Sequence, residues 1–358
     1  MRVAIVSGIC VRHDAISNAA LHERVVLQRA GHEVTVFCQA TDYDDDPGIV
    51  AGLNVWQMYL DQRFADAELV VLHFGTGYEL FDVLQLSPRN ARRVVRFHNV
   101  TPPELLEGPH RRRALTGLDQ VVTAERAEHI WCDSEFNRRT LHDLGVDEAR
   151  TSVLELCVPE VDGLSTSPLA PLPDGPPVLL YVGRLVAAKG VDDLLAAYDA
   201  SGLADDGVRL VLAGNTRLSD PATTARAHAA AAAHPTVEVV DEPDGETLTA
   251  LYRDAAVFVM ASHHEGFCVP VVEAQARGLL VVASDAGALP ETVAGGGIVV
   301  PVRDLDALAA ALRTAVDHVT TDGRATPDWT HLHRYSMRAF EQRFLAAVDE
   351  VMGRVGVP

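Results

Sequence analysis

The stretch Leu179-Leu180-Tyr181-Val182-Gly183-Arg184-Leu185-Val186-Ala187-Ala188-Lys189-Gly190 carries an apolar, strand-like run into a glycine turn, and Val191 to Ala200 then has helical character. Arg184 and Lys189 therefore flank a strand-to-helix connection. Lys189 is the only lysine of the chain; every other Lys/Arg position is arginine. An ammonium is a compact, strongly hydrated point charge, and at a tight anion site a planar guanidinium does not replace it. An arginine-biased composition that left one lysine by chance is the bland alternative. Two cations and the free N–H groups of a helix start converge at the carboxyl end of a strand, where open α/β sheets bind phosphorylated ligands. The segment is no Walker loop, because Ala188 precedes Lys189 and Gly190 follows it. Nor is Gly295-Gly296-Gly297 a dinucleotide fingerprint, since an apolar strand-like run follows it where a helix is required.

Working outward, β-branched apolar runs alternate with helical segments along the whole chain. In the first half they are Val3 to Val6, Val34 to Phe37, Leu69 to His73, Val94 to Phe97 and Ile130 to Cys132. In the second half they are Val178 to Val182, Arg209 to Ala213, Val237 to Val240, Val257 to Met260 and Leu279 to Ala283. Consecutive apolar positions mark strands covered on both faces, so the pattern predicts two doubly wound parallel sheets. Pro159 to Pro177, rich in Pro, Gly and Ser, reads as a linker that cannot form an element interior. Ala222 to Ala233 is helix-prone. Met337, Phe340, Phe344, Val348 and Val351 recur at helical spacing and predict a terminal amphipathic helix.

At 358 residues the chain exceeds the roughly 250 to 300 at which one core stops growing, so two domains are expected. Its 48% hydrophobic and 22% charged content is that of a soluble globular protein, and no run of eighteen uncharged apolar residues occurs. The apolar run at the start is too short for a signal peptide, which places the expectation in the cytoplasm. Five cysteines are scattered singly, without a zinc or disulfide pattern. A net charge of -20 argues against nucleic-acid binding. Arg89, Arg92, Arg93, Arg96, Arg111, Arg112 and Arg113, with His98 and His110, are a local basic exception. They form either a solvated face or a face toward an anionic acceptor or a membrane surface. Asp42-Tyr43-Asp44, with Asp45 and Asp46, reads as an acidic loop, and no metal site is assigned.

The second constellation is Ala261-Ser262-His263-His264-Glu265-Gly266-Phe267-Cys268-Val269-Pro270-Val271-Val272-Glu273-Ala274-Gln275-Ala276-Arg277-Gly278. Pro270 suits the first helical position and Gly278 the residue just past the end. Glu265 then lies on the loop entering the helix and Glu273 in its first turns. Helix capping is the structural alternative, but capping does not require Glu265 so far ahead with Gly266 beside it. Carboxylates so placed accept from sugar hydroxyls, and the N–H groups of Gly266, Phe267 and Cys268 donate to phosphate.

The run from Gly183 to Gly190, the pair Glu265 and Glu273, and Asp285-Ala286-Gly287-Ala288-Leu289-Pro290-Glu291 together resemble the donor-site motifs of family 4 retaining glycosyltransferases. Phe97-His98-Asn99-Val100-Thr101-Pro102-Pro103-Glu104 and Asp133-Ser134-Glu135-Phe136-Asn137 extend the resemblance over the first half. It implies a GT-B fold: two Rossmann-like doubly wound domains facing across a cleft. An acceptor-side domain would span 1–160 and a donor domain 176–334, with a helix over about 335–358 packing back on the first. It implies a metal-independent retaining enzyme that transfers a hexose from a UDP- or GDP-sugar to a hydroxyl acceptor and needs no cofactor. Arg184 and Lys189 would hold the diphosphate, Glu265 the sugar hydroxyls and Glu273 the ribose, while His98 would orient sugar or acceptor. Gly8, Gly183, Gly266, Phe267, Cys268 and Val269 would complete the donor contacts. The chain departs from the pattern in offering only Gly8 after the first strand and in having Cys268 where glycine is frequent. A side chain is tolerable at Cys268 if the backbone there has negative φ, and its N–H is expected to face the donor. A sugar phosphorylase, a nucleotide-sugar epimerase and a non-catalytic nucleotide-sugar binder are the rival readings.

Overall fold

A computed structural model describes residues 1–353 apart from Ser87, Arg89, Arg217 and Leu218. The chain divides into two units, Met1–Cys157 with the segment from Met337 onward, and Val158–Ser336. In the first, β1 (Arg2–Cys10), β2 (Glu33–Thr41), β3 (Ile49–Ala51), β4 (Leu69–Phe74), β5 (Arg92–Phe97), β6 (His129–Cys132) and β7 (Thr151–Val153) form one sheet. In the second, β8 (Val178–Val182), β9 (Arg209–Gly214), β10 (Val237–Asp241), β11 (Val257–Met260), β12 (Leu280–Ser284) and β13 (Gly297–Val300) form another. The orders are β3-β2-β1-β4-β5-β6-β7 and β10-β9-β8-β11-β12-β13. Every pairing is parallel, as Val3↔Leu69 and Val257↔Leu179 illustrate. All ten apolar runs are strands. The order reverses between β1 and β4 in one sheet and between β8 and β11 in the other, which are the points where doubly wound sheets open a crevice at their carboxyl ends.

Continuous apolar runs become central strands because both faces are covered. All six residues of β4 and all four of β11 are buried. In the first unit one face is packed by Phe74, Phe81 and Phe97. The other is packed by Trp131 and by the helix Met337–Val351, whose Phe340, Phe344 and Val348 are buried. The Phe344 ring meets Trp131 edge-on at 5.6 Å. The second unit has its own core on Leu180, Tyr181, Phe258, Val282 and Leu312.

The segment read as a linker contains a five-residue helix, Glu160–Leu164. It precedes every proline from Pro168 on, and Glu160 and Asp162 in its first turn favour the positive end of its dipole. Among the described residues no helix is long and apolar enough to cross a membrane. The five cysteines are buried and none is bridged.

Candidate functional site

The connection after β8 and the loop after β11 meet at the switch point of the second sheet. Ala187–Lys189 forms a single helical turn, and Gly190, at φ +64°, caps the helix Val191–Ser201. A Cβ at Gly190 would overlap the carbonyl oxygen of Ala261, so only glycine lets the two loops touch there. The loop is tied down along its length: His263 N donates to Ala188 O at 2.8 Å, and Ala288 N to Glu265 O at 2.9 Å. Ser284 donates to Ser262 O, and the Thr292 hydroxyl donates to Phe267 O at 2.7 Å. Gly287, at φ +63°, admits the Glu265 backbone in the same way. The motif Asp285 to Glu291 thus acts as a clamp on the loop that carries Glu265.

The result is one ion pair: Lys189 Nζ donates to Glu265 Oε1 at 2.6 Å, and the Ser262 hydroxyl donates to the same oxygen at 2.7 Å. The side chains are 20% and 7% exposed. The two residues that carry the strongest sequence signals, 76 positions apart, are therefore in direct contact. An ammonium has three protons to donate, and Glu265 takes one. Arg184 is exposed, and its side chain has no ion-pair partner among the described residues. Gly183 donates its N–H to Ala213 O, and a Cβ there would stand 2.9 Å from the Tyr181 hydroxyl.

The helix read from Pro270 and Gly278 spans Val269–Ala276, with Pro270 at its second position and Gly278, φ +72°, just beyond it. Its cap, Cys268, has φ +83° and ψ +75°, so the negative φ that would make a side chain easy to tolerate there is not met. The conformation turns the chain sharply from the clamped loop into the helix, and the amides of Phe267 and Cys268 reach no acceptor among the described residues. They are donors at a helix N-terminus, available to an anion. Burial pushes the Cys268 thiol well above its ordinary value, so it is a packed, protonated side chain and no nucleophile. A left-handed residue with a Cβ is strained. Cys268→Gly is expected to raise unfolding stability by about 1 kcal/mol; a chemical-denaturation midpoint that moves down instead would show that the thiol's packing outweighs the strain.

Glu273 lies on the second turn of that helix and accepts from the Tyr252 hydroxyl at 2.7 Å. Burial pushes its carboxyl upward, only partly offset by that hydrogen bond. Arg277 stacks over the Tyr252 ring at 4.8 Å and donates to Glu273 O. Tyr252 touches Glu273 directly, yet it carries no motif of its own and is not legible from the sequence.

Gly8 and His98 belong to the first unit. Gly8 lies within β1, two residues before its end, and a Cβ there would stand 3.3 Å from the Tyr78 ring. His98 follows β5, and its imidazole is 4% exposed. Both ring nitrogens are engaged: Nδ1 lies 2.7 Å from Asp133 Oδ2 and Nε2 2.9 Å from His73 Nδ1. Asn99, at φ +72°, donates to Asn137 Oδ1 at 2.8 Å. The two fragments of the first-half resemblance are thus bonded to each other. Arg96 corrects the reading of a continuous basic face, because it is fully buried between Glu23 and Asp133. Pleat alternation sends it into the core. Arg93 pairs with Glu128, Arg111, Arg112 and Arg113 are exposed, and Arg89 lies outside the described residues.

Comparison with known proteins fits this geometry. Residues 176–318, which lie in the second unit, match the family model described as glycosyl transferases group 1. The GDP-mannose:cellobiosyl-diphosphopolyprenol alpha-mannosyltransferase of Xanthomonas oryzae is 29% identical over 50% of this chain and 48% of its own. The D-inositol 3-phosphate glycosyltransferase of Saccharomonospora viridis is 30% identical over 68% of this chain and 60% of its own. The chain thus spans less than two thirds of the length of these relatives. A structure of Anabaena HepE with UDP and glucose superposes with a TM-score of 0.70 at 16% identity, covering 98% of this chain and 99% of that one. The two parallel-sheet units and this likeness define the fold as GT-B.

Proposed function

We propose that this chain is a retaining, metal-independent glycosyltransferase that takes a sugar from a nucleoside diphosphate sugar and passes it to a hydroxyl acceptor. The observation that carries the reading is the meeting of the Lys189 ammonium, the Glu265 carboxylate and the free amides of Phe267 and Cys268 at the switch point of the second sheet. An ammonium beside unpaired N–H donors fits a pyrophosphate, and a clamped carboxylate beside it fits the hydroxyls of the attached sugar.

In this reading Lys189 keeps its bond to Glu265 and turns its other two protons to the donor phosphates, with Arg184 closing over them from the exposed side. Two cations then meet the charge that develops as the nucleotide departs, and fixed charges aimed at developing charge supply most of the rate gain in such transfers. The bond from the sugar's anomeric carbon to the diphosphate breaks, and a bond to the acceptor oxygen forms on the same face. The acceptor's proton passes to the departing phosphate oxygen, so no protein nucleophile is required. Glu273, with its second oxygen held by Tyr252, receives the ribose hydroxyls, and His98 serves the sugar or acceptor. Both a GDP-sugar and UDP figure among the ligands named for the similar proteins, and both nucleotides fit the proposal.

A thermal-shift screen of nucleoside mono- and diphosphates and their sugars tests it. A diphosphate at about a hundred times its dissociation constant adds about 2.7 kcal/mol of stability. The expected result is a rise with a UDP or GDP species that the matching monophosphate does not reproduce; a flat response to every diphosphate would sink the reading.

A further inference from the structure

Five ionisable side chains lie buried together in the first unit, and the proposed transfer uses only one of them. Glu23 comes from the helix Ala15–Arg29, His73 from β4, Arg96 from β5, His98 from the residue after β5 and Asp133 from the residue after β6. Glu23 Oε2 lies 3.1 Å from His73 Nε2, His73 Nδ1 lies 2.9 Å from His98 Nε2, and His98 Nδ1 lies 2.7 Å from Asp133 Oδ2. Arg96 closes the ring, with Nε 3.3 Å from Glu23 Oε1 and Nη2 3.2 Å from Asp133 Oδ1. The His73 and His98 rings stack at 5.1 Å.

Counting protons limits the states open to this ring. Each of the three bridges needs one proton, because two lone pairs facing each other at such a distance repel. With both carboxylates ionised, three protons occupy the four imidazole nitrogens, and one of the two rings is an imidazolium. Two carboxylates then balance Arg96 and the imidazolium, which is the neutrality a dry interior demands. A protonated Glu23 with two neutral imidazoles would keep the same contacts. Arg96 beside Glu23 opposes that form, and an imidazole is the stronger base by about two pH units. Burial, the largest influence on His73, pushes its imidazolium down and so moves the charge toward the other ring. The charged groups facing the pair are Glu23, Arg96 and Asp133; the adjoining Cys132 thiol is pushed up by burial and stays neutral.

We propose that Glu23 and His73 are positioning residues that hold the His98 imidazole in its protonated form at the carboxyl edge of the first sheet. The inference rests on the part given to His98 in the proposed transfer and adds what sets its charge. An imidazolium there favours ligand oxygens that carry or develop negative charge. Asn99, bonded to Asn137 directly after it, keeps the backbone of that edge fixed.

The test substitutes charge alone. In Glu23→Gln the amide can donate to His73 Nε2, so every bridge survives, the two at His73 with their direction reversed and the one from His98 to Asp133 unchanged, and both imidazoles are neutral. Nitrogen-15 NMR of the histidine-labelled full chain at neutral pH should show three of the four His73 and His98 ring nitrogens protonated in the wild type and two in the variant. Two in the wild type would overturn the proposal, whether or not any sugar is transferred. In turnover assays E23Q should transfer sugar roughly tenfold more slowly or worse. Removing the counter-charge disfavours the imidazolium, so the loss of activity on the alkaline side should move at least about one pH unit lower. An E23Q enzyme with the turnover and pH profile of the wild type would also overturn it. A wild type that consumes no donor at all would remove the transfer reading, and the nitrogen count would still decide the charge of the ring.

Discussion

Lys189→Ala is expected to lower sugar transfer by about 10²- to 10³-fold, the range for removing one preorganised charge-stabilising donor from an active site. It should also lower unfolding stability, because Glu265, only 7% exposed, would lose its cation and keep, among the described residues, the Ser262 hydroxyl alone as a side-chain partner. Breaking a buried pair from one side costs about 3 to 5 kcal/mol, and the 20% exposure of Lys189 reduces that to about 2 to 3 kcal/mol. Arg184→Ala separates the two consequences. Arg184 is exposed and unpaired among the described residues, so its loss should slow transfer and leave the unfolding midpoint within about 0.5 kcal/mol of the wild type. Assays of donor consumption and urea unfolding on both variants check this. Near-normal transfer by the Lys189 variant would remove the phosphate role from the site.

Gly190→Ala should have the second large effect, on stability and binding together. Its φ of +64° alone costs a side chain about 1 kcal/mol. The added methyl would also overlap the Ala261 carbonyl, and a backbone oxygen cannot rotate away as a flexible side chain can. A total loss of about 3 kcal/mol or more is expected. Relief by moving the loops apart would draw Lys189 away from Glu265, so nucleotide binding should fall although no ligand-facing side chain has changed. Gly31→Ala is the control, since Gly31 has φ +80° with open space around it and should cost only the conformational part. Equal unfolding midpoints for the two variants would mean that the loops are not locked at this point.

Much of the fold can be read from the chain because central parallel strands are written as unbroken apolar runs. Val178 to Val182 and Val257 to Met260 coincide with β8 and β11 to the residue. β3 and β7 escape that reading: each has three residues at a sheet edge, only partly covered, so neither needs an apolar run. The prolines of the linker hide the helix Glu160–Leu164 ahead of them. Within the site, residue types and order announce Lys189, Glu265 and the helix after them, because glycine, proline and a lone ammonium each have a local physical reason. What the chain alone does not disclose is pairing. That Lys189 and Glu265 bind each other depends on the clamps at Gly190 and Gly287, which close only in three dimensions. Cys268 shows the limit of a local rule, since the clamped loop imposes a positive φ on a residue with a side chain. The ring around His98 draws on four separate segments of the first unit, so His98 reads as an isolated histidine and Arg96 as a surface cation until the strands are assembled.

Calorimetric titration of the wild type and the Lys189→Ala variant with the nucleoside diphosphate that stabilises the protein tests the central claim, that the second unit grips a pyrophosphate through Lys189. The expected result is a saturable site in the wild type, an affinity for the diphosphate well above that for the matching monophosphate, and loss of that preference in the variant. Equal affinity of wild type and variant for the diphosphate would contradict it.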